Sequence, residues 1–239
     1  MLENFWKKQI DKEGWTEKHN SAHGLSRQDF VADSRRRLST INSEFRHAFK
    51  FLKNYPHSVS FFGSSRFTED HPCYIHARAL ARRIVEDLQF TVVTGGGSGV
   101  MEAANRGAFE AGGKSIGMNI VLPNEQKMNQ YLTAHMRFYY FFIRKVALSF
   151  SAEVYIFFPG GFGTLDEFFE LITLIQTNKI RKVPIICIGR EYWQRILDLM
   201  TVLHDDYQTI SSGDEKIFHI TDSDDEIMEI IKKAPTRNE

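Results

Sequence analysis

The sequence has few cysteines, no net charge and no long apolar run, and each absence excludes a class of protein. Only two cysteines, Cys73 and Cys187, occur in 239 residues, and they are too far apart for a metal-ligand spacing. Cys187 lies within an apolar run, which predicts a buried, reduced thiol. The nine histidines show no paired ligand spacing either, so no metal site is predicted.

Charge and hydropathy argue against two kinds of partner. Thirty basic and thirty acidic residues cancel to a net charge of zero, so the chain lacks the overall positive charge expected of a nucleic-acid binder, which leaves only a local basic patch as an alternative. No apolar stretch reaches the roughly 18 residues that span a bilayer, and the N-terminal segment is too polar for a secretory signal. We therefore expect a soluble, cytoplasmic protein that binds neither nucleic acid nor membrane.

From residue 58 onward the sequence alternates between strand and helix patterns. Short apolar segments predict strands at 58–63, 90–94, 115–120, 154–158, 183–188 and 217–220. Helical spacing predicts helices at 72–88, 99–111, 164–178, 191–204 and 223–233, and another that ends near 150. Apolar strands separated by helices are typical of a parallel sheet covered on both faces. The predicted fold is α/β, a Rossmann-like doubly wound parallel sheet.

The first 55 residues differ from the rest, because they are rich in charge and poor in valine and isoleucine. Apolar residues at three- and four-residue steps predict an amphipathic helix over 34–53. The arginine run at 35–37 is more typical of a solvated helix face than of a phosphate site. We expect a helical N-terminal arm over 1–55 and a Rossmann-like domain over 56–239 that includes a C-terminal extension.

Three turns rich in glycine or serine follow predicted strands, with the sequences GSS at 63–65, TGGGSG at 94–99 and PGGFGT at 159–164. In doubly wound sheets ligands bind outside the carboxyl ends of the strands. Glycine-rich turns there expose backbone N–H groups and the positive end of a helix dipole, which suits a phosphate group. One glycine pair alone would more simply permit a tight turn, but the two glycine-rich turns together favour a ligand.

The ligand class follows from what the turns lack. A nucleoside triphosphate site needs Gly-Lys-Ser/Thr at the end of its loop, and Ser98-Gly99-Val100 offers no lysine. A dinucleotide site needs a further glycine and an acidic residue after the next strand, where this chain has Asn119. The sequence therefore favours a single phosphate or a mononucleotide.

One carboxylate follows the third turn directly. We expect Thr164 to cap a helix and Glu167 to lie in its first turn, beside the glycines. The pair is also a capping box, in which each side chain bonds the other's backbone N–H, and the preceding Gly-Gly-x-Gly favours the ligand site over that alternative. Such a carboxylate orients a water or stabilises an oxocarbenium-like transition state. Asp166 is the alternative carboxylate for this role, although the pattern favours a solvated acid beside the cap at that position.

A basic pair, Arg144 and Lys145, follows an aromatic run on a predicted helix. Basic pairs on helices usually face solvent, but the aromatic run before this one favours one member pointing into the site. Arginine binds phosphate or a nucleobase through two parallel hydrogen bonds and stays charged at any working pH.

Together the segments GGGSGVMEAA at 95–104, FFIRK at 141–145 and PGGFGTLDE at 159–167 resemble the Lonely Guy family of cytokinin riboside 5′-monophosphate phosphoribohydrolases. The resemblance covers roughly residues 56–205. It implies a Rossmann-like fold, a homodimer or higher homo-oligomer, and hydrolysis of the N-glycosidic bond of nucleoside 5′-monophosphates to free base and ribose 5-phosphate. No cofactor is implied.

The resemblance also implies roles for individual residues. Glu167 is the expected catalytic carboxylate and Arg144 its basic partner, with Lys145 beside it. The expected 5′-phosphate pocket comprises Gly96, Gly97, Gly99, Gly160, Gly161, Gly163 and Thr164. Met101 is expected near the base and Glu102 near a sugar hydroxyl, and the serine pair Ser64 and Ser65 is expected to approach the ligand.

The chain departs from the plant pattern at 141–142, where Phe-Phe replaces Met-His, and in its two terminal extensions. These departures resemble a bacterial branch of the family, for which AMP-like substrates are expected. A pyridoxal phosphate decarboxylase is disfavoured, because no lysine lies in a recognisable Schiff-base setting. A non-catalytic mononucleotide sensor on the same fold is the alternative, and a phosphoribosyl transferase is disfavoured because no acidic run ends a core strand.

Overall fold

The computed structural model describes residues 27–121 and 127–235. Among these residues, contacts between Cα atoms group those from 43 onward into one compact unit and residues 27–42 into another. The predicted helix over 34–53 is present as α1, Arg27–Leu52, so the boundary between the units lies within it. The part of the predicted arm over 1–26 lies outside the described residues, and the domain division at 55 stays a prediction.

Seven helices and seven strands occur in the described ranges. After α1 come β1 Ser58–Phe62, α2 Pro72–Leu88, β2 Thr91–Thr94, α3 Val100–Glu110, β3 Ser115–Ile120, β4 Ala134–Phe138, α4 Phe141–Ser149, β5 Val154–Phe157, α5 Phe162–Gln176, β6 Ile185–Cys187, α6 Arg190–Asp205, β7 His219–Ile220 and α7 Asp224–Lys232. A short 3-10 turn, Asp214–Lys216, precedes β7. Among these residues no helix has both the length and the apolar character needed to cross a membrane.

All seven strands are parallel and form one open sheet with the order β4-β3-β2-β1-β5-β6-β7. The predicted Rossmann-like α/β fold is confirmed. The strand β4 was not predicted, because this edge strand has the half-exposed sequence AHMRF and no continuous apolar run. The central strands β1, β2, β3 and β5 are buried throughout, as expected of strands covered on both faces.

Two apolar layers hold the helices against the sheet. On one face the buried side chains of α2, α3 and α7 pack on strand residues such as Val59 and Ile156. On the other face an aromatic cluster forms, in which Phe168 of α5 lies 4.8 Å from Trp193 of α6 and 5.5 Å from Phe157 of β5 between ring centroids. Each fully buried side chain of this size contributes about 1.5–3 kcal/mol.

The chain order places a switch point between β1 and β5, because β1 to β4 run outward in one direction and β5 to β7 in the other. Ligand crevices of doubly wound sheets lie at this point, outside the strand carboxyl ends. Here the loops meet: Ser64 N donates to Pro159 O at 3.0 Å, and Val100 N donates to Ser64 O at 3.0 Å. The three predicted turns therefore lie side by side at the expected edge of the sheet.

Candidate functional site

The loop after β2 is held by a buried network of polar side chains. Gly96 N donates to Thr94 Oγ1 at 2.8 Å, and Thr94 Oγ1 donates to Asn105 Oδ1 at 2.6 Å. Asn129 donates to two loop carbonyls, from its backbone N–H to Gly96 O and from Nδ2 to Gly97 O, both at 3.0 Å. Its Nδ2 also donates to Asn105 Oδ1 at 2.9 Å. Because these polar groups satisfy one another, the network supports the shape of the loop.

Sequence reasoning missed Thr94, Asn105 and Asn129 as supports of this loop. One signal was available: Asn105 lies at helical spacing among the alanines of α3, and a buried asparagine must find hydrogen-bond partners. No sequence pattern marks Asn129, and only the folded structure shows that it contacts this loop.

The loop after β5 is open by contrast. Helix α5 begins at Phe162, with Gly161 as N-cap and no side-chain cap. A Cβ built at Gly161 or Gly163 would meet no atom within 4 Å. The first N–H groups of a helix have no partner within the helix, so this exposed N-terminus offers donors to an anion.

The predicted cap at Thr164 is wrong, because the helix starts two residues earlier than expected, within the Phe-Gly pair. Thr164 is buried in the first helical turn, and its side chain lies against Gly160, where an added Cβ would be 2.1 Å from Thr164 Oγ1. Glu167 consequently lies in the second turn of α5, and Thr164 and Glu167 do not form a capping box.

Glu167 is a buried carboxylate, with its side chain only 10% exposed. Burial raises the pKa of the Glu167 carboxyl to about 7, while the charges of Arg144 and Lys145 act in the opposite direction. At neutral pH the group is therefore poised between its acid and base forms. Carboxyls with this property are typical of sites of proton transfer.

Arg144 of α4 is the nearest cation to Glu167, with Nη1 3.9 Å from Glu167 Oε1. Its Nε donates to Met118 O of β3 at 2.8 Å, which fixes the plane of the guanidinium. Burial lowers the pKa of Arg144, and the negative charge of Glu167 partly restores it. A Cβ at Gly95 would lie 2.6 Å from Arg144 Nη2 and 2.8 Å from Met101 Sδ. The structure thus brings Gly95, Met101, Arg144 and Glu167 together, and Gly95 is an addition to the predicted set.

Lys145 forms ion pairs with the next carboxylates of α5, with Asp166 Oδ2 at 2.5 Å and Glu170 Oε2 at 3.1 Å from its Nζ. Burial alone would lower the pKa of Lys145, but the bonds to Asp166 and Glu170 outweigh it and raise the pKa. The amine is therefore held protonated, which does not suit a Schiff-base nucleophile.

The remaining predicted residues have structural partners. Glu102 Oε1 accepts a hydrogen bond from Tyr74 of α2 at 3.0 Å. Ser64 Oγ accepts from Arg66 N at 3.1 Å, and Ser65 O accepts from the Ser98 hydroxyl at 2.8 Å. Cys187 is buried and free, as predicted. Within residues 27–121 and 127–235 no group of three or more His, Cys, Asp or Glu side chains lies close enough to hold a metal ion.

Solved structures of similar fold cover most of this chain. The molybdenum cofactor binding protein of Rippkaea orientalis is 22% identical with a TM-score of 0.51, over 73% of this chain and 93% of that one. The protein TM1055, a structural genomics target, is 24% identical with a TM-score of 0.54, over 74% and 98%. The molybdenum cofactor carrier protein of Chlamydomonas reinhardtii is 21% identical with a TM-score of 0.53, over 73% and 95%. Likenesses at these identities establish the fold.

None of the curated proteins matches this sequence. The model of the family described as "Possible lysine decarboxylase" matches residues 101–231, which is more than half of the chain. That range contains α4 with Arg144 and α5 with Glu167. The chain therefore belongs to this family, the Lonely Guy-like proteins described as possible lysine decarboxylases.

Proposed function

We propose that this protein hydrolyses the N-glycosidic bond of nucleoside 5′-monophosphates, releasing free base and ribose 5-phosphate. One observation carries the proposal: a desolvated carboxyl, Glu167, with a pKa of about 7 lies beside Arg144, whose side chain is 15% exposed, one turn from the open N-terminus of a helix. A phosphate acceptor and a proton-transfer group on the same helix suit cleavage of a phosphorylated sugar derivative.

The open end of α5 is the natural place for the 5′-phosphate. Gly161 and Gly163 leave the first-turn N–H groups uncovered, and the helix dipole favours negative charge there. Glu167 follows one turn further along the same helix. A phosphate at the helix end would therefore direct the attached ribose toward the carboxyl.

Glu167 acts in its ionised form. As the bond from C1′ to the base nitrogen breaks, positive charge develops on the ribose, and the carboxylate stabilises it. Water then bonds to C1′ and gives one proton to Glu167, while the departing base takes up one proton from solvent. Glu167 afterwards releases its proton to solvent, so that the atoms of one water are divided between ribose 5-phosphate and the free base. Since the acting form is the base, kcat/KM should rise with pH through about pH 7 and then level off.

Arg144 stabilises the ionised form of Glu167, and its fixed guanidinium lies where negative charge would be held. Its remaining donors suit the phosphate, the ribose hydroxyls or the leaving base. Replacement of Arg144 by Lys would keep the charge but lose the planar donor geometry.

A non-catalytic carrier is the competing function, because the proteins of similar fold include a molybdenum cofactor binding protein and a molybdenum cofactor carrier protein. A carrier would bind its ligand and release it unchanged. The perturbed carboxyl favours the enzyme, since a carrier of an anionic ligand gains nothing from a buried acid.

Incubation of the protein with AMP, other nucleoside 5′-monophosphates and isopentenyladenosine monophosphate, followed by chromatography, tests the proposal. Glu167→Ala should lower kcat by about 10²–10⁴-fold, as is usual for a positioned acid–base group. Asp166→Asn is the matched control, because Asp166 is the neighbouring carboxylate and is exposed; it should retain turnover.

Each outcome has a consequence. Base release that is lost in Glu167→Ala and kept in Asp166→Asn supports the assignment. The reverse pattern would transfer the catalytic role to Asp166. Tight nucleotide binding with no base release from any substrate would reject the hydrolase and leave the carrier.

We also propose a homodimer or higher homo-oligomer. Phe162 at the start of α5 is 94% exposed, and Phe141 and Phe142 of α4 are also exposed. Exposed aromatic side chains on adjacent site helices support contact with a second copy of the chain.

A further inference from the structure

Glu44 of α1 is a buried carboxylate that the sequence analysis did not single out. It is 0% exposed, and it accepts two backbone hydrogen bonds from a segment about 95 residues away in sequence. Tyr139 N donates to Oε1 at 2.6 Å and Tyr140 N donates to Oε2 at 3.2 Å. Burial raises the pKa of Glu44, and the two N–H donors act against that shift.

The two N–H groups belong to the start of the helix that carries Arg144. Tyr140 is the N-cap of α4 and offers no side-chain cap of its own. The N-terminus of a helix needs hydrogen-bond acceptors and favours negative charge, and the distant Glu44 supplies both. It therefore does the work of a capping side chain from another element.

A short path of hydrogen bonds joins Glu44 to Arg144. The N–H of Tyr140 binds Glu44, and the carbonyl of the same residue accepts from Arg144 N at 3.2 Å. Arg144 in turn places its guanidinium 2.8 Å from Met118 O and 3.9 Å from Glu167. A shift at the start of α4 would therefore move the guanidinium relative to Glu167.

Aromatic contacts hold both ends of α4 against the same part of α1. Phe45 lies 6.2 Å from Phe142 at the start of α4, and Phe49 lies 6.0 Å from Phe150 at its end, between ring centroids. Ala48 of α1 is fully buried between these two aromatic positions in sequence. The end of α1 therefore holds α4 at both termini.

We propose that Glu44 is a positioning residue for the site, which holds the start of α4 so that Arg144 meets Glu167. The expected loss in kcat/KM rests on the proposed function, but the expected displacement of Arg144 does not. It gives the end of α1, which lies outside the family match at 101–231, a direct part in building the site.

The test compares Glu44→Gln with Glu153→Gln. Glu153 is also fully buried and accepts from a backbone N–H, Ser58 N at 2.6 Å, but it does not belong to α1 or α4. Both variants should lower thermal stability. Only Glu44→Gln should lower kcat/KM per folded molecule, by about ten- to a hundredfold. Glu44→Asp, which keeps the charge but is shorter, serves if the first variant does not fold.

A double-mutant cycle separates positioning from general damage. If Glu44 acts through Arg144, then Glu44→Gln should have little further effect on kcat/KM once Arg144→Lys is present. Equal fold-losses in both backgrounds would overturn the proposal.

A structural readout keeps the proposal testable even if no base is released. The NMR signal of the Arg144 Nε–H, identified by its absence from Arg144→Lys, should exchange slowly with solvent because Met118 O accepts its proton. We expect faster exchange in Glu44→Gln and Glu44→Asp, and unchanged exchange in Glu153→Gln. Unchanged protection in all three would refute the role of Glu44, whereas absent base release with this pattern intact would refute only the proposed function.

Discussion

Two glycine-rich loops at the same edge of the sheet use glycine for opposite reasons. In the loop after β2, glycine allows close packing: a Cβ at Gly99 would lie 2.2 Å from Ser64 O, and Gly96 has a φ of +74°. After β5, Gly160 is packed against Thr164, but a Cβ at Gly161 or Gly163, at the start of α5, would meet no atom within 4 Å. The first loop is filled by the protein itself, whereas the second ends at an open helix N-terminus.

The difference shows that glycine content alone does not identify a binding loop. In the first loop the carbonyls of Gly96 and Gly97 accept hydrogen bonds from Asn129. The second presents the free end of α5 and leads to Glu167. The two loops look like equivalent phosphate loops in the sequence, and substitutions in each should separate their roles.

Gly99→Ala should have the largest effect on stability. The position combines a φ of +67° with a backbone atom 2.2 Å from the new Cβ, so we expect a loss of about 3 kcal/mol or more in the free energy of unfolding. Gly112→Ala is the matched control, because Gly112 has a similar φ of +71° and no neighbour within 4 Å. Equal losses in the free energy of unfolding, measured by urea denaturation, would show that backbone strain alone, and not packing, requires glycine at position 99.

Glu167→Gln, on the helix that follows the second loop, should abolish turnover and change how stability depends on pH. The folded pKa of about 7 exceeds the ordinary value of 4.5, so this group favours the folded state below pH 4.5 and that advantage is lost as the pH rises through about 7. The loss is about 3 kcal/mol. We therefore expect the stability of Glu167→Gln relative to wild type to increase by about that amount between pH 4.5 and pH 8, while turnover is lost. A pH-independent difference would contradict the buried, neutral carboxyl.

Asn129→Ala should loosen only the first loop. It removes a side chain that donates to Gly97 O and to Asn105 Oδ1, so we expect a loss of about 1–3 kcal/mol in the free energy of unfolding. Gln130→Ala, one residue along and exposed, should change it by less than about 0.5 kcal/mol. If the two variants unfold alike, the loop does not depend on this network.

Gly163→Ala should have the opposite effect to these substitutions in the first loop, because it should weaken ligand binding without lowering stability. The added methyl group meets no neighbour and improves helix propensity, so we expect a small gain, about 0.5 kcal/mol, in the free energy of unfolding. It should also weaken binding of ribose 5-phosphate about tenfold or more by obstructing the N-terminus of α5. Calorimetric titration measures the binding, and unchanged affinity would place the phosphate elsewhere.

Phe162→Ser should have the smallest effect on the fold. Since the side chain is almost fully exposed, we expect the free energy of unfolding per chain to change by less than about 0.5 kcal/mol, while a dimer dissociates. Light scattering after size exclusion measures the mass, with Ile75→Ser as an exposed apolar control on α2. An unchanged dimer would place the contact on another surface.

Local patterns predicted most elements, because apolar strands and helical spacing are visible within about ten residues. They failed where the pattern was weak or ambiguous. The strand β4 is a half-exposed edge, and the start of α5 lies in a Phe-Gly segment that helix propensity disfavours. Neither failure changes the helix that carries Glu167. The second does change its place in that helix, because Glu167 lies in the second turn of α5 and Thr164 is not its cap.

The alternating fold, the three turns at the strand ends and the candidates Glu167 and Arg144 can be predicted from local patterns, since all of these depend on neighbours in the chain. Folding is needed to bring these two side chains within 3.9 Å of each other and to bury Glu167, which raises its pKa. Folding also makes Glu44 the cap of the helix of Arg144. Desolvation and hydrogen bonding across some 95 residues depend on where the chain is folded, and no local pattern contains them.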